Sequence, residues 1–255
     1  MRLQALVWDI DGTLAETEEP GHRIAFNRAF EELGLSWRWD SALYGELLRV
    51  TGGKERLLAW WLRIDPQAAA APAAAATVRR LHELKTAHYL ALLDSGGIAL
   101  RPGVQRVLEE AGAQGLRLAI ATTTTLDNVT RLLDVTLGAK GAGMFEVIGA
   151  GDVVPHKKPA PDIYHWVLQQ LALPAEACLA IEDSAAGARA ARSAGLPVIV
   201  TRSRYTAGEG VGAVLADLDG LGDATTAARG TTAGQAWAGV VGVDVLRAWH
   251  GAARR

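Results

Sequence analysis

The stretch "LVWDIDGTLAE", residues 6–16, decides the fold. The apolar run Leu3 to Trp8 reads as a short buried strand. It ends in Asp9 and Asp11, one residue apart, followed at once by Gly12 and Thr13. Residues two apart on a strand point to one face. Two carboxylates gathered there cost free energy unless a cation or a reaction needs them.

Further segments share the look of this strand. They are Leu116 to Ala121, Leu179 to Ile181, Pro197 to Val200 and, more weakly patterned, Met144 to Ile148. Helical stretches lie between them: Val104 to Gln114, Leu126 to Leu133, Pro161 to Leu171 and Ala185 to Ala194. Strands alternating with helices of this length predict a parallel sheet with right-handed crossovers. In such sheets the reactive groups lie beyond the carboxyl ends of the strands. Asp9, Thr122, Glu182 and Asp183 all stand at such ends. The fold class is therefore α/β, a Rossmann-like parallel sheet core.

One region breaks the alternation. From Glu18 to Gly97 the pattern is helical, with Ile24, Phe26, Phe30 and Leu33 at helical spacing. Trp37, Trp39, Trp60 and Trp61 lie here and read as its core. "DPQAAAAPAAAAT", 65–77, reads as a loop at Pro66 and Pro72 running into a helix from Ala73 to Leu93. An all-helical cap domain, 18–97, is thus inserted after the first strand of a core made of 1–17 and 98–222. Turn-rich residues 16–21 and 96–102 read as the two crossings of a hinge. Beyond Tyr205 the pattern weakens. Val214 to Leu218 is the expected last edge strand, and "TTAARGTTAGQAW", 225–237, reads as a polar linker before a short terminal helix. Residues 223–255 form a C-terminal extension with no readable role.

The bulk numbers exclude several classes. With 255 residues, 49% hydrophobic and 21% charged, the chain supports one large domain or two modest ones. A net charge of -2 offers no basic field to nucleic acid or an anionic membrane. The single cysteine, Cys178, precludes an intrachain disulfide and suits a reducing compartment. No apolar run approaches the roughly 18 residues of a membrane helix. The apolar start is broken by Asp9, so no signal peptide is read. The expectation is a cytoplasmic protein, and a self-contained monomer.

Asp9, Asp11 and Asp183 bring hard oxygen ligands to converging strand ends, a set suited to Mg²⁺ and a phosphate. Thr122 opens "TTTTLDN", hydroxyls and N–H groups at a helix start, which suits an anion. Lys158, in "HKKPAPD", would neutralise phosphoryl oxygens. Taken singly, each has a plain structural reading: a surface turn, a helix cap, a solvated helix start. Together, and in this chain order, they read as a phosphoryl-transfer site. In the helical region, "TGGKERL", 51–57, places two glycines, Lys54 and Arg56 at a helix start, fit for a second anion or simply a turn. His82 and Lys85 share one helix face, which could equally be a solvated face. Glu18 could accept sugar hydroxyls at the hinge, with His22 beside it.

With these residues in view, the chain resembles the haloacid dehalogenase-type phosphatases. The motifs are "DIDGT" at 9–13, Thr122 after "LAIA", Lys158 in "KKPAPDIY" and "EDS" at 182–184. The resemblance covers residues 3 to about 220. It implies Asp9 as nucleophile and Asp11 as general acid and base, with Thr122 and Lys158 completing the catalytic set. It also implies Mg²⁺ held by Asp9, Asp11 and Asp183, with Glu182 beside it. Within the family the chain is similar to the CbbY-like subgroup of xylulose-1,5-bisphosphate phosphatases. The matching stretches are "GTLAETEE" (12–19), "TGGKER" (51–56), "ALRPG" (99–103), "ATTTTLDN" (121–128) and "KKPAPDIY" (157–164). That implies substrate contacts from Asp9, Glu18, His22, Gly52, Gly53, Lys54, Glu55, Arg56, His82 and Lys85, and from Thr122, Thr123, Thr124 and Asn128. It further implies a sugar bisphosphate as substrate and the clearing of an inhibitor of Rubisco in the Calvin cycle. "EEPGHRIAFN" departs from the subgroup pattern by one added residue between Glu19 and His22. A start directly at the strand, with no basic Ser-rich transit segment, favours a bacterial cytosol. A β-phosphoglucomutase-like mutase, a broad-range phosphatase and a non-catalytic binder of phosphorylated ligands are the alternatives. The "TGGKER" loop leans away from the mutase, and retention of both Asp9 and Asp11 argues against the binder.

Overall fold

The computed structural model describes residues 2–252. The chain divides into two compact units, residues 1–16 with 99–255, and residues 17–98.

The first unit is built on one eight-stranded sheet. Its strands are β1 (Ala5–Trp8), β2 (Arg117–Ala121), β3 (Val147–Gly149), β4 (Cys178–Glu182), β5 (Val198–Thr201), β6 (Ala216–Leu218), β7 (Ala228–Thr232) and β8 (Gln235–Gly239). They lie in the order β3-β2-β1-β4-β5-β6-β7-β8, and the first six are parallel. Strand alternation sets the two faces. Ala5, Val7, Ala119, Ala121, Cys178, Ala180, Val198 and Val200 share one buried cluster with Ile163, Tyr164, Val167, Ala188 and Ala191 of the helices Asp162–Leu171 and Ala185–Ser193. The intervening Leu6, Trp8, Leu118, Ile120, Leu179, Ile181 and Ile199 are buried as well. Both faces of β1, β2, β4 and β5 are therefore covered, which is why these strands read as nearly continuous apolar runs.

The register explains why the polar strand ends meet. Trp8 stands opposite Ile120 on one side and Ile181 on the other. The next residue of each strand is then Asp9, Ala121 and Glu182, all at one level.

Two expectations for this unit are corrected. The segment 225–237 is no linker. It forms the antiparallel hairpin β7–β8, which extends the sheet past β6, so β6 is not the edge. The hairpin turns on Ala233 and Gly234, both at positive φ (47° and 75°), the combination a two-residue turn between twisted strands demands. The terminal helix, Val243–Ala252, is anchored to the sheet unit. Arg106 donates to the carbonyls of Gly222 (3.1 Å) and Val241 (3.0 Å), and the Val243 amide donates to Glu110 (3.1 Å). Second, the strand expected at Met144 to Ile148 starts only at Val147, because Ala142–Met144 form a 3-10 turn.

The second unit is all helical. Its helices are Arg23–Glu32, Ser41–Leu47, Gly53–Ile64, the one-turn Pro66–Ala69 and Ala74–Asp94. The Pro66 segment, expected as loop, closes that turn because Asp65 accepts from the Ala68 amide (3.0 Å) and proline tolerates a first helical position. Phe26, Phe30, Trp39 and Tyr44 are fully buried and pack ring against ring. Trp37, Trp60 and Trp61 lie at the margin of this cluster, half-buried. The unit opens with a π-helical turn, Glu18–His22, in which the His22 amide reaches back to the Thr17 carbonyl (2.9 Å). One added residue in a helix start is accommodated in this way. The departure expected in "EEPGHRIAFN" would fall on that turn.

Candidate active site

The site is built where β1, β2 and β4 end. Asp9 continues the alternation of Ala5 and Val7, and Glu182 that of Cys178 and Ala180, so both point toward the helix Asp162–Leu171. Lys158, just before that helix, is 4% exposed. Its ammonium donates to Asp9 Oδ1 (2.7 Å), Glu182 Oε1 (2.6 Å) and the Ala121 carbonyl (2.7 Å). Burial works against its charge, but the two carboxylates outweigh burial and raise its pKa. Tyr164, in the first turn of the helix, donates to the same Glu182 oxygen (2.5 Å). The Lys158–Pro159 peptide is cis.

Asp183 is held from another side. Its Oδ2 accepts from Ser203 (2.6 Å) and more weakly from Thr206 (3.4 Å), residues just beyond β5. Asp9 Oδ2 accepts from Thr13 (3.2 Å). Burial pushes the Asp9 carboxyl up to about 7 despite Lys158, and pushes Asp183 well above the ordinary carboxylate range, with the Asp9 charge adding to it.

These groups fit a cation. Asp9, Glu182 and Asp183 each offer an oxygen, and the three oxygens lie within 4.8 Å of one another. One lysine balances only one of three buried carboxylates, and Glu182 Oε2, also buried, accepts no hydrogen bond in the described residues. An all-oxygen anionic set of this kind suits a hard divalent ion such as Mg²⁺.

Asp11 requires a correction. It is not on the strand, so the same-face argument does not place it. β1 stops at Trp8, and the chain turns at once. The Thr13 and Leu14 amides donate to the Ile10 carbonyl (3.1 and 2.9 Å), and the Gly12 amide to that of Ala15 (2.8 Å). Asp11 therefore rides on a turn, half-buried. Gly12 enables it with a φ of 82°. A Cβ there would also land on the Asp183 carboxylate.

Thr122 is 1% exposed, but its amide is committed to the Gly149 carbonyl (2.9 Å) and is no anion donor. Its hydroxyl oxygen accepts from the Thr124 amide (3.3 Å), which leaves the hydroxyl proton to donate. Asn128, 2% exposed, donates to the Thr124 hydroxyl (2.9 Å) and so braces the loop, with Thr123 half-buried between.

In the helical unit the expected residues fall into two groups. Tyr44 donates to Glu18 (2.5 Å) and accepts from Arg56 (3.1 Å), while Arg56 also reaches the carbonyls of Leu47 (3.2 Å) and Val50 (3.3 Å). Arg56 is thus buried structure under the 51–56 loop. Gly52, at φ 90°, caps the helix that begins at Gly53, with Lys54 half-buried and Glu55 exposed on its first turn. A Cβ on Gly53 would lie 2.9 Å from the His82 ring. His22 stacks on Tyr89 (4.0 Å), and the Lys85 ammonium lies 5.2 Å from the ring centres of both Phe26 and Tyr89. Lys85 is 4% exposed, so the solvated-face reading of the His82–Lys85 pair fails for it.

Sequence reasoning missed Tyr164, Ser203, Thr206 and Gly187. Tyr164 was within reach, because it lies six residues after Lys158 at the helical position that turns back to the sheet. A Cβ on Gly187 would land on the Glu182 carboxylate. Gly187→Ala is therefore expected to cost about 1–3 kcal/mol of stability by displacing Glu182. Urea unfolding without added metal checks it, and an unchanged midpoint contradicts it.

Comparisons with known proteins show the family. The family model for haloacid dehalogenase-like hydrolases matches residues 3–195. The chain belongs to the haloacid dehalogenase-like hydrolase family. It is an enzyme, a phosphatase of that family. The chain is 47% identical over 250 residues to plasmid protein CbbY of Cupriavidus necator, covering 97% of each chain. It is 50% identical over 209 residues to protein CbbY of Rhodobacter capsulatus, covering 82% of this chain and 89% of the other. A crystal structure of a mutant CbbY from Rhodobacter sphaeroides in complex with xylulose-(1,5)bisphosphate superposes with a TM-score of 0.78 at 46% identity, covering 86% and 94% of the two chains. Among the described residues, no helix is long and apolar enough to cross a membrane.

Proposed function

We propose that this chain is a Mg²⁺-dependent phosphatase of sugar bisphosphates, acting on xylulose-1,5-bisphosphate and so removing an inhibitor of Rubisco in the cytoplasm. The observation that carries this reading is the pairing of a buried, Lys158-bound Asp9 with Asp11 on the adjoining turn. The likeness to the sugar-bisphosphate complex of the Rhodobacter protein supports the substrate.

In the first step an Asp9 oxygen attacks phosphorus, the ester P–O bond breaks, and Asp11 gives its proton to the departing alkoxide. In the second, water attacks the phosphorus of the aspartyl phosphate and passes a proton to Asp11, which releases phosphate and regenerates the Asp9 carboxylate. Lys158 and the Thr122 hydroxyl bind phosphoryl oxygens as charge develops on them. Asp9, Asp183 and the Asp11 backbone carbonyl, with Glu182 beside them, would hold Mg²⁺, which when bound neutralises charge between a carboxylate and a phosphate dianion.

In the helical unit, Gly52, Gly53 and Lys54 bind the second phosphate, with His82 and Lys85. Arg56 and Glu55 hold the loop, and Glu18 with His22 takes sugar hydroxyls.

The test is phosphate release, with Mg²⁺, from xylulose-1,5-bisphosphate, ribulose-1,5-bisphosphate, fructose-1,6-bisphosphate, 2-phosphoglycolate and β-glucose-1-phosphate. A strong preference for xylulose-1,5-bisphosphate is expected. Lys54→Ala should raise KM for the bisphosphate about 10–100-fold and for a monophosphate far less, as loss of a charged hydrogen bond predicts. Flat activity across the panel would overturn the substrate, and glucose-6-phosphate formed without phosphate release would identify a mutase.

A further inference from the structure

The "ALRPG" stretch holds a buried cation that the proposed chemistry leaves unused. Arg101 follows the point where the chain re-enters the sheet unit. Leu100 is bridged to Ala15, and the Arg101 amide donates to the Leu14 carbonyl (2.8 Å). Its side chain is only 9% exposed. One guanidinium nitrogen, Nη1, donates to the Gly12 carbonyl, the Thr201 carbonyl (2.8 Å) and the Thr201 hydroxyl (3.3 Å). The other, Nη2, donates to the carbonyls of Arg202 (2.5 Å) and Asp219 (3.1 Å). The remaining nitrogen, Nε, lies 3.5 Å from Glu16 at the surface.

Carbonyls from three separate segments thus converge on one planar fork: the turn after β1, the end of β5 and the residue after β6. Only arginine presents five donors in fixed directions, and a lysine ammonium cannot span these acceptors. Burying this charge is costly, and burial lowers its pKa. An apolar side chain in its place would leave the carbonyls of Gly12, Thr201, Arg202 and Asp219 without this donor. What the guanidinium adds is direction.

That direction matters at Gly12. Its peptide is held between Arg101 on one side and Asp183 with Ser203 on the other, with no room for a Cβ. Asp11 precedes it, and Thr13, which donates to Asp9, follows it. We propose that Arg101 is a positioning residue that fixes the Asp11–Gly12–Thr13 turn against Asp183, setting both the general acid and the divalent-cation site. The proposal rests on the phosphatase reading above.

The test uses the full chain with Arg101→Lys and Arg101→Ala, each checked for folding by circular dichroism. Two readouts are taken: kinetics on whichever phosphate ester the parent hydrolyses, and Mg²⁺ titration by calorimetry, which needs no substrate. The expected result is kcat lower by about 10–100-fold and Mg²⁺ affinity weakened by a similar factor, as for other residues that orient ligands, with KM changed less than about threefold. Added guanidinium ion should restore part of kcat in Arg101→Ala, where ammonium does not. Where the alanine variant fails to fold, Arg101→Lys carries the test. Parent-like kcat and Mg²⁺ affinity in Arg101→Lys would overturn the proposal alone. So would losses that only track the unfolded fraction and show no rescue. A parent that binds Mg²⁺ but hydrolyses no ester would overturn the phosphatase reading, while the calorimetry still decides for or against the positioning role. A parent that binds no Mg²⁺ would overturn both.

Discussion

Replacing Asp9 by asparagine is expected to lower phosphate release by roughly 10⁴-fold or more, the scale on which loss of a covalent nucleophile acts, while the fold stays intact. The chemical half of the expectation rests on placement. Asp9 is the first residue past β1, 7% exposed, with one oxygen on Lys158 and the other on Thr13. An amide keeps the shape and one acceptor oxygen but cannot form the acyl phosphate. The folding half rests on electrostatics. Burial pushes the Asp9 carboxyl up to about 7, so its charge is a cost to the protein when no cation is present. The neutral amide removes that cost, and Lys158 keeps Glu182 as its partner (2.6 Å). The variant should therefore melt no lower than the parent without Mg²⁺, and should gain less from adding it. Phosphate assays, thermal melts with and without Mg²⁺, and a search for a phosphorylated Asp9 peptide in acid-quenched parent check the three parts. Residual activity within tenfold of the parent would refute Asp9 as nucleophile.

The strand ends are legible because each buried strand is a short apolar run closed by a polar residue, and parallel register brings such ends to one level. The alternation alone puts Asp11 on the strand, whereas the Asp9 amide still bonds the Ile181 carbonyl (3.0 Å) and the chain turns from Ile10 onward. Ser203 and Thr206 are invisible for another reason. A single hydroxyl after β5 carries no periodicity, and only the parallel neighbour β4 shows that it faces Asp183. The hairpin at 228–239 escapes the sequence pattern because its turn uses Ala233 where Asn is the usual signal, and because Arg229 and Thr231 make the strand read as polar. In the helical unit, spacing puts His82 and Lys85 on one face but cannot say what covers it. Lys85 lies among Phe26 and Tyr89, which stand 59 and 4 positions away in the chain.

Lys158→Met is expected to produce the second large effect, a stability loss of about 3–5 kcal/mol without metal, the cost of stranding a buried charge. It should also lower kcat by about 10²–10³-fold, as for other groups that stabilise developing charge. Methionine keeps the stem's volume and removes three donors, those to Asp9, Glu182 and the Ala121 carbonyl. The carboxylates can then escape the penalty only by taking up protons. A carboxyl whose folded pKa lies above its unfolded value binds its proton more firmly in the folded state. Such a group favours folding at low pH and loses that advantage as pH rises through the folded pKa. For Asp9 the window in the parent runs from 3.8 to about 7, and removal of Lys158 moves its upper limit higher. The deficit of the variant should therefore be small near the bottom of that window and full well above it. Urea unfolding of parent and variant at several pH values measures this directly. Glu182→Gln added to Lys158→Met should recover part of the stability and none of the activity, since it removes a stranded charge without replacing the ammonium. A deficit that stays the same across the window would mean that Lys158 contributes packing rather than charge balance. Full recovery of activity in the double variant would mean that the ammonium is not needed to hold the phosphoryl oxygens.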